Sequence, residues 1–230
     1  MDKTYYALII TPHPDDAELG IGGTVAGWTK SGREVVYIVC TNGDKGTDDM
    51  ETPPEMLAKT REEEQLAAAR ILGVNEVQFL RHPDQGLEDT HEFRKQIVRF
   101  IRSYRPEIVA TTDLSSPNII HRDHRITGQV VLDAVYPFAR NRPAYPDLIR
   151  EGLEPHLVPE ILLWATSNPN YYVNITQTYE QKMTALRCHS SQVINFFREG
   201  EEFFRERHEE MAAGKGYQLA EAFRRIIMTW

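Results

Sequence analysis

Cysteine is scarce in this chain. Cys40 and Cys188 are the only two, and their spacing matches no metal-ligand motif. Cys40 lies in an apolar run and reads as a core residue. A reduced, cytoplasmic protein is therefore expected rather than a disulfide scaffold. Long apolar runs are also missing: none approaches the ~20 residues of a membrane span. Met1-Asp2-Lys3 leads straight into the first apolar segment, so no signal peptide is expected. Positive charge is in deficit, with 26 Lys+Arg against 34 Asp+Glu and a net charge of −8. That balance disfavours nucleic-acid binding, which needs a basic stripe, and electrostatic docking on anionic membranes. No internal repeat or low-complexity tract is present. A dinucleotide fingerprint is lacking too: Gly20-Ile21-Gly22-Gly23 does not fit G-x-G-x-x-G, and no ribose-binding acid stands out. What remains is a chain of 230 residues, enough for one domain, 1–230, with a substantial core.

Apolar runs alternate with amphipathic ones. Tyr5-Tyr6-Ala7-Leu8-Ile9-Ile10 has the length and β-propensity of a buried strand. Pro14 and Gly20, Gly22 and Gly23 are expected to break it and allow a tight turn into a helix near 23–30. A strand follows over 34–41, then a loop over 42–50. Thr52-Pro53-Pro54-Glu55 reads as a capping box, and Thr60-Arg61-Glu62-Glu63 as a second one where the helix restarts. That helix ends at Leu72-Gly73. Strands are expected over 76–80, 108–112 and 161–165, and helices over 92–104 and 123–135. Five prolines, Pro137, Pro143, Pro146, Pro155 and Pro159, mark a long connection. From about residue 179 the chain reads as mainly helical, with a soft break at Gly214-Lys215-Gly216. The class is α/β: a mostly parallel sheet with helices on both faces.

The chemistry-bearing residues sit at strand ends. His13-Pro14-Asp15-Asp16-Ala17-Glu18-Leu19 closes the first apolar run, where open α/β sheets keep their ligand sites. Histidine and aspartate are ligands for a divalent metal such as zinc, and a neighbouring aspartate can act on water at the metal. The plain alternative is a polar turn with an aspartate cap. A second cluster, His121-Arg122-Asp123-His124-Arg125, follows the run Glu107 to Thr112. Two imidazoles three residues apart lie close together on a helical turn. Solvated surface histidines are the usual reading of a lone HxxH. That reading weakens when both His-bearing turns leave one edge of one sheet.

These residues resemble the LmbE/PIG-L superfamily of zinc-dependent de-N-acetylases. The resemblance rests on Pro12-His13-Pro14-Asp15-Asp16, Gly22-Gly23-Thr24 and His121-Arg122-Asp123-His124. Arg61-Glu62-Glu63, Ala68 to Val74, and Lys182 to Gln192 also fit. It covers roughly Tyr5 to Gln192. Arg122 departs from it, since relatives usually carry Pro there. The resemblance implies a Rossmann-like sheet and removal of the acetyl group from an N-acetylglucosamine-type substrate. It implies zinc, or another divalent metal, on His13, Asp16 and His124. Asp15 would be the general base and His121 would stabilise the oxyanion, with either of them giving the amine its proton. Arg61 would lie near the sugar hydroxyls, or else be a solvated helix charge. Asp123 would orient an imidazole from behind, or cap a helix. Relatives of this size often form trimers or hexamers, and Phe196 to Trp230 offers an aromatic contact surface for such a homo-oligomer.

Other residues stay open. Glu18 receives no role, and His189 is either near the site or structural. Asp44, Asp48 and Asp49 belong to a loop that is either a sugar-binding rim or solvated. The pairs Phe196-Phe197 and Phe203-Phe204 read as core or subunit packing before carbohydrate stacking. His82, His91, His156 and His208 read as structural. Arg61, Arg122 and Arg125 could serve one carboxylate or several hydroxyls but not a polyanion, so a neutral N-acetylated sugar fits best. The alternatives are another amide substrate, or a non-catalytic sugar- or metal-binding protein.

Overall fold

The computed structural model describes residues 5–117, 119–193, 197 and 200–229. Buried, β-branched runs form the strands β1 (Ala7–Thr11), β2 (Val35–Thr41), β3 (Glu76–His82), β4 (Ile108–Thr112) and β5 (Glu160–Trp164). Two further strands, β6 (Tyr171–Asn174) and β7 (Ala220–Ile227), complete one sheet in the order β3-β2-β1-β4-β5-β7-β6. β1 to β5 pair in parallel, while β7 runs antiparallel between β5 and β6. The helices are α1 (Asp16–Lys30), α2 (Pro54–Leu72), α3 (His91–Tyr104), α4 (Arg122–Asp133), α5 (Pro146–Arg150), α6 (Tyr179–Arg187) and α7 (Glu201–Ala212).

Alternation along β1 divides the core. Leu8 and Ile10 face α3 and α4 through Phe93, Ile97, Ile101, Val130 and Val131. Ala7 and Ile9 face the other side, against Ile21, Val25 and Ala26 of α1 and Ala68 and Leu72 of α2. Successive strand residues point to opposite faces, so a two-sided apolar strand is sandwiched between helix layers. The parallel order reverses between β1 and β4, and that switch point is where such sheets hold ligands.

Four local expectations are corrected. The glycine-rich stretch is not a turn: α1 begins at Asp16 and runs through Gly20, Gly22 and Gly23. Two of these glycines serve close approach instead. A Cβ on Gly20 would lie 2.5 Å from the Trp164 indole, and one on Gly23 would lie 2.8 Å from Ile175. The capping boxes do not form. Pro53 is the N-cap of α2 without a side-chain bond, Thr52 bonds Asp49 at 2.7 Å, and the helix is unbroken through Thr60. The C-terminal part holds a strand, β7, as well as helices. Phe196 and Trp230 lie outside the described residues. By contrast, Gly73 ends α2 in the left-handed conformation, at φ 75°, and the caps near residues 90 and 105 bound α3.

Candidate metal and catalytic centre

The loop leaving β1 and the first turn of α4 meet across the β1/β4 switch point. Thr41 N–H bonds Pro12 O at 2.8 Å, which ties the β1 loop to the end of β2. At Asp15 the backbone turns sharply, with φ 102° and ψ −30°. A non-glycine residue rarely adopts this conformation, and such strain persists only where the surroundings enforce it. Here they do. Asp15 N–H donates to Gln65 Oε1 at 2.9 Å, and Arg61 Nη2 reaches the Asp15 carboxylate at 2.7 Å. The turn starts α1 at Asp16, so the Asp16 carboxylate sits at the positive end of a helix.

Asp16 Oδ2 is the meeting point of the cluster. It lies 3.0 Å from His13 Nδ1 and 3.3 Å from His124 Nε2. The opposite edge of the His13 ring faces acids: Nε2 is 3.1 Å from Asp84 Oδ1 and 3.3 Å from Asp123 Oδ2. Asp123 is fully buried and also accepts Gln85 N–H at 2.7 Å and Leu87 N–H at 3.2 Å. Asp84 Oδ2 accepts Lys45 N–H, and the Lys45 ammonium bonds Asp84 O. His13 Nε2 therefore bonds Asp123, with Asp84 Oδ1 close beside it, while Nδ1 faces Asp16.

His121 is placed differently. It is the N-cap of α4, and its Nδ1 accepts Asp123 N–H at 3.2 Å. A neutral imidazole that accepts at Nδ1 carries its proton on Nε2. His121 can therefore donate from Nε2 but cannot ligate through it. The cap at this helix start is His121, while Asp123 turns inward to His13.

Charge distributes accordingly. Burial pulls the His13 imidazole down, but Asp123, Asp16 and Asp84 outweigh it and push its pKa up to about 12. Burial raises Asp16, yet His124 and His13 hold its carboxyl well below the usual range. Burial and the neighbouring Asp16 push Asp15 up to about 7, against the pull of Arg61. Burial, then the neighbouring His13 and His124, lower His121. Two adjacent aspartates whose pKa values are driven apart mark a site with divided acid–base roles.

A cation fits this donor set. Tetrahedral bonds of about 2.0–2.2 Å place ligand atoms about 3.3–3.6 Å apart, close to the Asp16 separations of 3.0 and 3.3 Å. Nitrogen, oxygen and nitrogen donors suit zinc and its first-row neighbours. Among the described residues, the groups whose ligating atoms all fall within 4.8 Å of one another are His13, His121 and His124, and His13, Asp84 and Asp123. His121 is withheld by its tautomer, and the second group uses the protonated edge of His13.

Arg61 does not face outward. It is 4 % exposed, and its guanidinium bonds Gly43 O at 3.0 Å and Pro14 O at 2.8 Å as well as Asp15. Its hydrogen bonds go to the protein, where they brace Asp15. Arg125 likewise holds the carbonyls of Ile119 and Ile120. Sequence reasoning missed Asp84 and Gln65. Asp84 did carry a signal, because His82-Pro83-Asp84 ends β3 much as His13-Pro14-Asp15 follows β1. Glu18 accepts from Gln65 Nε2 at 2.9 Å, and its other oxygen lies 3.3 Å from buried His189. Both thus stand behind Asp15 rather than at the cavity.

The chain matches the family described as GlcNAc-PI de-N-acetylase (PIG-L) over residues 8–135. The chain belongs to this family. It is 42% identical over 185 residues to a diacetylchitobiose deacetylase of Thermococcus kodakarensis, spanning 80% of this chain and 69% of the relative. It is 28% identical over 200 residues to a probable N-acetyl-alpha-D-glucosaminyl L-malate deacetylase 2 of Bacillus anthracis, spanning 84% and 83%. Among solved structures, it superposes on the N,N'-diacetylchitobiose deacetylase of Pyrococcus horikoshii, which is complexed with an inhibitor. The TM-score is 0.92 at 33% identity, covering 96% of this chain and 84% of that one. These likenesses place the PIG-L chemistry on an α/β fold and bear out the resemblance read from the two His-bearing motifs. No helix among the described residues is long and apolar enough to cross a membrane.

Proposed function

We propose that this PIG-L protein is a metal-dependent N-deacetylase of a small N-acetylglucosamine-type substrate, with His13, Asp16 and His124 as metal ligands. One observation carries the reading. Asp16 Oδ2 lies between Nδ1 of His13 and Nε2 of His124, and a strained, Arg61-braced Asp15 immediately precedes it in the chain. Deacetylation is common to the family's description and to the three relatives named above. Zinc is the proposed metal on the strength of the N/O donor set. A bound divalent ion supplies Lewis-acid polarisation and a more acidic water.

The protein's own groups then divide the work. Asp15, raised toward neutrality, takes the proton of the attacking water and returns it to the leaving amine. His121 donates its Nε2 proton in a hydrogen bond to the developing oxyanion. Arg61 and Gln65 hold Asp15 in its turn, and Asp123 and Asp84 hold the His13 ring. A homo-oligomer, trimeric or hexameric, and a cytoplasmic setting complete the proposal, both carried from the family resemblance and composition. Phe204 packs against Phe197 with ring centroids 5.4 Å apart, so part of the aromatic C-terminal surface is used within the chain.

The test is acetate and amine release from N-acetylated sugars, measured with zinc and with a chelator. His124→Ala is expected to lose most of its metal and its activity. Full metal occupancy in that variant, or release that ignores the chelator, refutes the assignment.

A further inference from the structure

A cavity of about 500 Å³ opens beside the metal ligands, lined by Asp16 and His124 at one end. Its walls come from Trp164 at the end of β5, Leu19 and Gly20 of α1, and Phe203, Phe204 and Arg207 of α7. An acetyl group fills a small fraction of this space, so the cavity is sized for a larger part of the substrate. Three charged or titratable groups on its lining are already consumed. Lys182 Nζ is 2.7 Å from Glu221 Oε1 and 3.0 Å from His208 Nε2. Both Glu221 oxygens accept from Gly23 and Thr24. His208 Nδ1 is occupied by Phe204 O at 2.6 Å.

Arg207 is the exception. Its guanidinium lies 5.8 Å over the Phe203 ring, and no carboxylate among the described residues pairs with it. Phe203 is 38 % exposed. A partly exposed aromatic ring beside a cation without a carboxylate partner is the pattern of a ligand wall. The Gly20 backbone lies under the Trp164 indole so closely that no side chain fits between them, which keeps this end of the cavity open.

We propose that the cavity is an aglycone subsite, in which Phe203 packs against a ring attached to the N-acetylated sugar and Arg207 selects an anion carried by that ring. The inference rests on the deacetylase reading and adds its specificity: one carboxylate-bearing cyclic aglycone, in place of a wholly neutral substrate. Arg207 suits this role because its planar fork binds a carboxylate through two parallel bonds.

The probes are N-acetylglucosamine and its phenyl and 4-carboxyphenyl glycosides in both anomers, with the zinc-loaded full chain. Expected kcat/KM rises in that order for one anomer. Arg207→Gln is expected to cut the carboxyphenyl-over-phenyl ratio by about tenfold or more, with Arg207→Lys in between. Phe203→Ala is expected to raise KM for both aryl glycosides more than it lowers kcat. An unchanged ratio in Arg207→Gln, or no preference for the carboxylate in the parent protein, overturns the subsite. Calorimetric binding of the corresponding glucosaminides separates the two levels of the argument. Arg207-dependent carboxylate binding without turnover of any acetylated probe sinks the deacetylase reading and leaves the subsite standing. Turnover with carboxylate-blind binding does the reverse.

Discussion

Glu221→Ala is the most demanding stability test of this structure. Glu221 is 2 % exposed and pairs with fully buried Lys182 at 2.7 Å. Its carboxylate also accepts the N–H groups of Gly23 at 2.9 Å and Thr24 at 2.8 Å and the Thr24 hydroxyl at 2.6 Å. Lys182 in turn bonds Leu19 O at 2.9 Å. The pair thus clamps the middle of α1 to β7 and α6, and α1 is the helix that presents Asp16. Removing one member of a buried pair leaves an uncompensated charge, at a cost of about 3–5 kcal/mol. A chain of this size loses about 2–4 °C of Tm per kcal/mol, so the expected fall is about 6–20 °C. Thermal unfolding followed by circular dichroism at pH 7 reads it directly. The double variant Lys182→Met/Glu221→Gln removes both charges and is expected to recover a large part of the loss. The pH dependence has a defined sign. Burial raises the Glu221 carboxyl, but Lys182 outweighs it and holds it below 4.5. Its stabilisation is therefore present above about pH 4.5 and lost as pH falls through the folded value. That acid limb is expected to be shallower in the double variant. A Tm within about 2 °C of the parent in Glu221→Ala refutes the clamp, since a shift that small is less than about 1 kcal/mol.

Three other outcomes are expected. His208 is lowered to about 4 by burial and by Lys182. The unfolded chain binds its proton first, so stability falls as pH drops from about 6.5 toward 4, with a slope of at most ~1.4 kcal/mol per pH unit. His208→Gln should flatten denaturant midpoints across that window, and an unchanged slope would show that His208 is not the titrating group. Asp15→Asn should keep its metal in elemental analysis and lose about 10²–10⁴-fold in turnover; near-parental rates would remove Asp15 as the base. Asp123→Asn should weaken zinc affinity in a chelator competition by about 10–100-fold, because His13 loses an acceptor that orients it, and unaltered affinity would argue against that role.

How far the sequence alone reached depended on range. The strands β1 to β5, the cap at Gly73 and the two His-bearing motifs were legible because they rest on local pattern. A run such as Ala7–Thr11 fixes its own periodicity, and ligands three residues apart share a turn wherever they stand. β6 and β7 were not legible. β7 is an antiparallel insertion whose residues Glu221, Arg224 and Arg225 break the apolar pattern, because Glu221 answers Lys182 and Arg225 answers Glu160. Glycines 20 and 23 read as a turn and proved to be contacts of a helix with Trp164 and Ile175. Arg61 read as either a sugar-facing or a solvated helix charge, and its partners Gly43 and Pro14 are supplied by two other loops. Residue types and spacing determined that this chain could hold a divalent metal between two strand ends. Only the tertiary structure decided which edge of each imidazole faces Asp16, because that depends on acceptors as distant in sequence as Asp123 is from His13. It also decided what lines the cavity beside them, since its far wall belongs to α7 and no local signal in α7 indicates what it faces.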